Sequence, residues 1–309
     1  MKSSVREIHK TETVGIVCHD AGGAEVVSEW LLQSGLPFYA CLAGPAVNIF
    51  QRKFEEYNNT TLEILLSQCD WILCGSSWQS DLEKVAVKRS LALGLFVAVC
   101  LDHWVNYEDR FTTDDLITLP SEIWVADRYA LKLGTELFPA TPIRLIDDPY
   151  LQKIRSDLDA FHMDNITIDI DILYVCEPIR EHAKIKYGDE NYLGYTEESA
   201  LKFFFENVHL LLCQSSNIMI RPHPSDPVNK YNWVSRYSSG SLEVKFGGDQ
   251  SLISEILRSR IVVGCESMAM VVALVAGRNV YSSIPNEGRD CVLPHEGIMR
   301  MSAMLDGNA

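Results

Sequence analysis

Along the whole of this 309-residue chain, short apolar runs end on clusters of polar residues and are separated by spans of helical length. Val14 to Cys18 closes on His19-Asp20, Trp71 to Cys74 on Gly75-Ser76-Ser77, and Leu95 to Leu101 on Asp102-His103-Trp104. The pattern returns where Asn217 to Arg221 closes on Pro222-His223-Pro224 and Arg260 to Val263 on Gly264-Cys265-Glu266-Ser267. Parallel strands need long crossovers, so β-rich runs spaced this way predict an α/β fold with doubly wound parallel sheets. In such sheets the carboxyl edge is where ligands bind, and the polar clusters fall there.

The runs divide into two series. The first comprises strands at Val14–Cys18, Phe38–Leu42, Trp71–Cys74, Leu95–Leu101, Ile123–Val125 and Ile143–Ile146, with a helix over Ala24–Gln33 stopped by Gly35 and Pro37. The second comprises strands at Asp171–Cys176, Asn217–Arg221, Leu242–Phe246, Arg260–Val263 and, as the last strand, Asn279–Ser282. Helices are expected over Thr196–Val208, capped by Thr196, over Ser251–Arg258, and over Ser267–Ala276. An acidic, polar stretch lies between the series. The expected organisation is therefore an N-terminal Rossmann-like domain over 1–150, a helix and linker over 151–169, and a C-terminal Rossmann-like domain over 170–309.

A formal net charge of -15 argues against a nucleic-acid partner, because phosphate-backbone affinity is built on clustered Lys and Arg. Positive charge for a phosphate would have to be local, with Arg221 and Lys230 as candidates. The nine cysteines, Cys213 among them, occur singly and without zinc-type spacing, which reads as reduced thiols in a cytoplasmic protein. Met1 to Thr13 is polar, and the apolar run Met268–Ala276 is too short to cross a bilayer, so any membrane association would be peripheral, through an acceptor.

Five clusters carry candidate chemistry. His19 and Asp20, before Gly22-Gly23, place a base and a carboxylate at a strand-to-helix turn; the alternative is that Asp20 caps the helix and His19 is a satisfied loop residue. Asp102, His103 and Trp104 offer acid, imidazole and indole to a sugar ring; alternatively Trp104 and Tyr107 pack the domain edge while Glu108 to Arg110 form surface pairs. Arg180, in Glu177-Pro178-Ile179-Arg180-Glu181-His182, either neutralises a phosphate or pairs with nearby glutamates. Arg221 and His223 lie in a turn with three prolines in six positions, which presents the imidazole at low entropic cost. Glu266 could accept both hydroxyls of a ribose, Ser267 could cap a helix whose N–H groups face a ligand, and Ser282 and Ser283 end the next strand beside them. Asp114-Asp115 and Asp147-Asp148 read as solvated loops, and no acidic triplet suggests a metal.

From Glu266-Ser267 through the apolar helix, Ala276-Gly277-Arg278 and Ser282-Ser283-Ile284-Pro285, the chain resembles the donor domain of GT-B glycosyltransferases and their relatives. Arg221-Pro222-His223-Pro224 is similar to the His-Pro motif of bacterial sialyl- and polysialyltransferase-like enzymes. The resemblance implies two domains with a cleft between them and transfer of a sugar from a nucleotide-sugar donor, CMP- or UDP-linked, to a glycan or surface-polysaccharide acceptor. It assigns His223 to the donor phosphate and Glu266 to the ribose, with no cofactor or metal. A nucleotide-sugar epimerase or hydrolase of the same fold, and a noncatalytic sugar or nucleotide-binding subunit, are the competing readings. The acidic base motif of the polysialyltransferase kind is missing from the sequence, and His19-Asp20 stands as a partial substitute.

Overall fold

The computed structural model describes residues 6–160, 167–211, 216–240 and 242–305. Met1 to Val5 of the polar N-terminus, residues 161–166 of the expected linker, the last four residues and Cys213 lie outside the described residues. The chain divides into two compact units, Met1–Lys153 and Ile154–Ala309.

The first unit runs β1 (Val14–Cys18), α1 (Ala21–Ser34), β2 (Phe38–Leu42), α2 (Pro45–Lys53), β3 (Asn58–Asn59), α3 (Leu62–Gln68), β4 (Trp71–Cys74), α4 (Leu82–Ala92) and β5 (Phe96–Leu101). A small hairpin, β6 (Thr112–Thr113) and β7 (Leu116–Ile117), then precedes β8 (Glu122–Val125), α5 (Arg128–Leu137), β9 (Ile143–Leu145) and α6 (Pro149–Ala160), within which the boundary falls. Seven strands form a parallel sheet in the order β3-β2-β1-β4-β5-β8-β9. Every residue of β1 and β4 is buried, as expected of strands covered on both faces. Trp30 of α1 packs edge-on against Trp71 and Trp124, with ring centroids 5.9 and 5.1 Å away.

The second unit runs β10 (Ile170–Val175), α7 (Ile179–Tyr187), α8 (Glu197–Asn207), β11 (Ser216–Arg221), β12 (Leu242–Phe246), α9 (Leu252–Arg258), β13 (Ser259–Gly264), α10 (Met268–Val275), β14 (Asn279–Ser282), β15 (Ile298–Arg300) and α11 (Met301–Leu305). Its six strands are parallel, in the order β12-β11-β10-β13-β14-β15. Asn279–Ser282 is therefore not the last strand. Ile298–Arg300 pairs beyond it, a run too short and too polar at its ends to stand out in the sequence. A separate core of Ile172, Tyr174, Phe204, Ile218, Ile220 and Val263 holds this unit together.

Local signals explain several boundaries. Thr196 accepts the Ser199 N–H and Ser199 accepts the Thr196 N–H in return, a complete capping box at the start of α8. Asp114 and Asp115 form the two-residue turn of the β6–β7 hairpin, both at positive φ, as a right-twisted hairpin requires. Asp148 is not a solvated loop residue. It is 9 % exposed and accepts the N–H groups of Tyr150 and Leu151 at the start of α6. The eight cysteines among the described residues are all unpaired.

Candidate functional site

Each sheet has a topological switch point, where successive crossovers leave one strand in opposite directions. In the first unit it lies between β1 and β4, and in the second between β10 and β13. Of the predicted site residues, His19 and Asp20 follow β1 and Glu266 and Ser267 follow β13 at these points; Asp102 to Trp104, His223 and Ser283 follow β5, β11 and β14, Arg221 and Ser282 end their strands, and Arg180 lies in α7.

In the first unit, the β1–α1 turn is fixed from several sides. The His19 N–H donates to Glu83 Oε1 at 2.6 Å, the His19 carbonyl accepts the Ala46 N–H at 3.1 Å, and His19 Nδ1 lies 2.7 Å from Asp20 Oδ1. Gly44, at φ 54°, passes so close to the imidazole that a Cβ would lie 2.7 Å from His19 Nε2. Asp20 occupies the N-cap position of α1, but its side chain makes no capping bond and faces His19 instead. The arrangement is an imidazole–carboxylate dyad on a rigid turn, able to accept a proton. Glu83, on the first turn of α4, is 2 % exposed, and burial pushes its carboxyl up to about 7.

Asp102 reaches the same turn from β5. Its Oδ2 lies where a Cβ on Gly22 would be, 1.9 Å from that position, so only glycine lets the carboxylate approach α1 this closely. Its Oδ1 accepts Ser76 Oγ at 3.1 Å and Arg110 Nη1 at 2.8 Å. Arg110 is 6 % exposed and also donates to the Ser76 carbonyl, so it is a buried clamp and not the surface pair considered from sequence.

His103 Nδ1 accepts the Trp104 N–H at 2.9 Å, which puts the ring proton on Nε2. Trp104 itself is packed: it is 8 % exposed and its indole N–H donates to Asp127 Oδ2 at 2.9 Å. Asp127, the N-cap of α5, holds the indole in place, so only a small part of it is open to a sugar ring. A cavity of about 260 Å³ opens beside this loop, walled by Trp104, Tyr107, Leu133 and Leu137 and edged by Glu108.

In the second unit, the proline turn after β11 is organised by Asp226, a residue sequence reasoning passed over. Its carboxylate accepts the His223 N–H at 2.8 Å and Lys230 Nζ at 2.6 Å. His223 Nδ1 lies 2.7 Å from Ser225 Oγ and accepts the Ser225 N–H at 3.2 Å; with Nδ1 as the acceptor of both, the neutral ring carries its proton on Nε2 and is a donor there. Burial holds the His223 pKa below its ordinary value. His182 of α7 is near enough to His223 to depress its own pKa further, after burial.

The cations proposed for a phosphate each meet a carboxylate. Arg180 Nε donates to Glu197 at 3.2 Å, Lys230 reaches Glu197 at 2.8 Å, and Arg221 bonds buried Glu255 at 2.5 Å. Of the two sequence readings of Arg180, pairing with a glutamate is the one observed.

At the β10–β13 switch point, Glu177 accepts the N–H groups of Cys265 and Glu266 on one oxygen, at 3.0 and 2.9 Å. A carboxylate thus occupies the turn leading into α10, where free N–H groups were expected to face a ligand. Ser267 does cap α10, accepting the Ala269 N–H. Glu177 keeps some residue exposure, but its carboxyl is enclosed, and burial with Glu266 as neighbour pushes it up to about 8. Glu266 is bonded to Arg289 through one of its two oxygens, and burial raises its pKa against that pairing. Ser282 and Ser283 are 1 % and 0 % exposed and bond the carbonyls of Cys265 and Gly264, while Tyr174 also reaches Ser283. Both serines are corrected from ligand contacts to internal braces of the β13–α10 turn. Among the described residues no cluster of side chains is arranged to hold a metal ion, and no helix is long and apolar enough to cross a membrane.

Neither a protein-family model nor a curated protein matches the sequence. Solved structures do share the fold. The UDP-GlcNAc 2-epimerase of Methanocaldococcus jannaschii superposes with a TM-score of 0.56 at 12% identity, covering 87% of this chain and 83% of that one. A glycosyltransferase from Rickettsia africae gives 0.54 at 10% identity over 97% of this chain and 87% of its own. MurG of Acinetobacter baumannii gives 0.52 at 10% identity over 95% and 87%. The chain has a GT-B-like fold. At these identities the likeness is one of architecture, two Rossmann-like parallel sheets, and the chemistry must be argued from the residues.

Proposed function

We propose that the protein is a glycosyltransferase that takes a sugar from a nucleotide-sugar donor, CMP- or UDP-linked, and passes it to a glycan hydroxyl, without a metal. The observation that carries the reading is His223: a neutral imidazole, its Nδ1 bonded to the Ser225 N–H and its backbone to Asp226, with the donor hydrogen on Nε2 at the carboxyl edge of the second sheet. That hydrogen would stabilise negative charge gathering on the departing phosphate oxygen. With Arg180, Arg221 and Lys230 already paired, a neutral donor is the residue suited to the task.

In the transfer, the acceptor oxygen forms a bond to the anomeric carbon as the bond from that carbon to the phosphate oxygen breaks. A general base takes the acceptor's proton, and the nucleotide leaves with the electron pair; the base that the first unit offers is the His19–Asp20 dyad. The cavity beside Trp104 and Tyr107, smaller than a drug-sized pocket, would take a single acceptor ring. The fold shared with glycosyltransferases is consistent with this reading.

A nucleotide-sugar epimerase is the second reading, favoured by one observation: the fold is shared equally with a UDP-GlcNAc 2-epimerase. A melting-temperature screen of CMP, UDP, GDP and dTDP, followed by incubation with the matching sugar nucleotide, tests both. Transfer requires that product appear only with an acceptor, whereas nucleotide release or a changed sugar without one supports the epimerase or hydrolase. His223→Ala is expected to weaken nucleotide binding by about 10-fold, the value of one lost hydrogen bond, while leaving the melting temperature of the free protein unchanged. Unaltered affinity in that variant overturns the donor-phosphate role.

A further inference from the structure

The strongest unassigned feature is the buried carboxyl beneath the β1–α1 turn. Glu83 is 2 % exposed, its Oε1 accepts the His19 N–H at 2.6 Å, and its Oε2 is buried without a hydrogen-bond partner among the described residues. A buried carboxyl with a vacant acceptor is strongly unfavourable, and a neutral side chain of the same size would stabilise the fold. Its position is specific, since it grips the backbone of the residue that carries the imidazole.

The geometry points to Glu83 as the positioning residue of the His19–Asp20 dyad: it locks the turn that aims the imidazole, and its negative charge stabilises the cation His19 becomes on taking a proton. The role of His19 rests on the transferase reading, while the Glu83–His19 bond stands without it. Held from below by Glu83, by the Ala46 N–H at its carbonyl and by Gly44 against its ring, His19 has little freedom to turn. A charge-assisted bond to its N–H is about twice as strong as a neutral one, so protonating Glu83 loosens the turn and removes the stabilising charge together.

The titratable groups facing Glu83 come from every surrounding element: His19 and Asp20 on the turn, Cys18 of β1, Cys41 of β2 and Cys74 of β4. Asp20 opposes its ionisation, His19 favours it, and the buried thiols are held neutral. The raised value of about 7 that burial gives Glu83 places its titration inside the working range. The dyad is then fully set above neutrality and weakened below it.

Two measurements test this, one of which needs no substrate. In His19→Ala, where the ring no longer titrates, the amide proton at position 19 followed by NMR is expected to shift with a midpoint near 7, and the shift is expected to vanish when Glu83→Gln is added. An amide that stays flat between about pH 5 and 9 overturns the coupling. With the donor and acceptor established, Glu83→Gln is expected to lower kcat by about 10- to 100-fold with donor KM nearly unchanged, and to move the acidic limb to lower pH, where protonation of His19 alone sets it. Glu83→Asp, which keeps the charge, retains that limb. An unaltered kcat and pH profile in Glu83→Gln overturns the positioning role. A wild type that turns over no sugar nucleotide counts against the transferase reading, and the amide titration then decides whether Glu83 governs the turn.

Discussion

At the residue scale, Glu83 ties stability to pH in a direction opposite to most carboxylates. Its folded pKa of about 7 lies above the ordinary 4.5, so below the lower value both states hold the proton and the group is neutral in effect. As pH rises from there to 7, the unfolded chain releases the proton while the folded chain must keep it, and stability falls through that window. Above it the penalty is constant, on the order of 3 kcal/mol. Glu83→Gln should therefore raise the melting temperature at pH 8 and leave it nearly unchanged at pH 4, a comparison that thermal unfolding at the two pH values decides. Retaining a destabilising acid beside the proposed base is the trade-off expected of a functional site. Its neighbour Asp20 was legible from sequence, but Glu83 was not: sixty-four residues separate it from His19, and on α4 it reads as an ordinary helix-start acid.

At the element scale, the strand-to-helix turns are set by close approaches that the sequence announces only as glycines. Gly22 admits Asp102 against α1, and Gly44 admits the His19 ring. Gly22→Ala is expected to destabilise by about 1–3 kcal/mol by driving Asp102 off Arg110 and Ser76, measurable as a lower denaturation midpoint. If the midpoint holds, Asp102 moves freely and the clamp is not rigid. Val14–Cys18 was readable as a continuous apolar run and Leu242–Phe246 as an alternation of apolar and charged residues, each bounded by turn formers. The internal pairings of the polar residues were not. Arg221 looked like a phosphate ligand because nothing near it in sequence neutralises it, yet Glu255, on a helix thirty-four residues away, does. Ser282 and Ser283 likewise looked like a hydroxyl pair at a strand end and proved to be braces facing inward.

At the scale of the whole molecule, each unit has its own sheet and its own core, with β10 to β15 and their covering helices all contained in Ile154–Ala309. Residues 154–309 expressed alone should melt cooperatively and, on the proposed reading, retain nucleotide binding; absence of a cooperative transition would show that this unit depends on the first. The sequence by itself determined the two parallel sheets, most of their strands and the loops that carry polar groups, because hydrophobic periodicity and turn chemistry are local properties of the chain. Only the tertiary structure decided which of those groups are occupied: it joined Glu83 to His19, Glu255 to Arg221, Glu177 to the β13–α10 turn and Glu197 to both Arg180 and Lys230. Hydrogen bonds and ion pairs between residues far apart in sequence follow from which loops the sheet order brings side by side, and that order is a property of the packed fold.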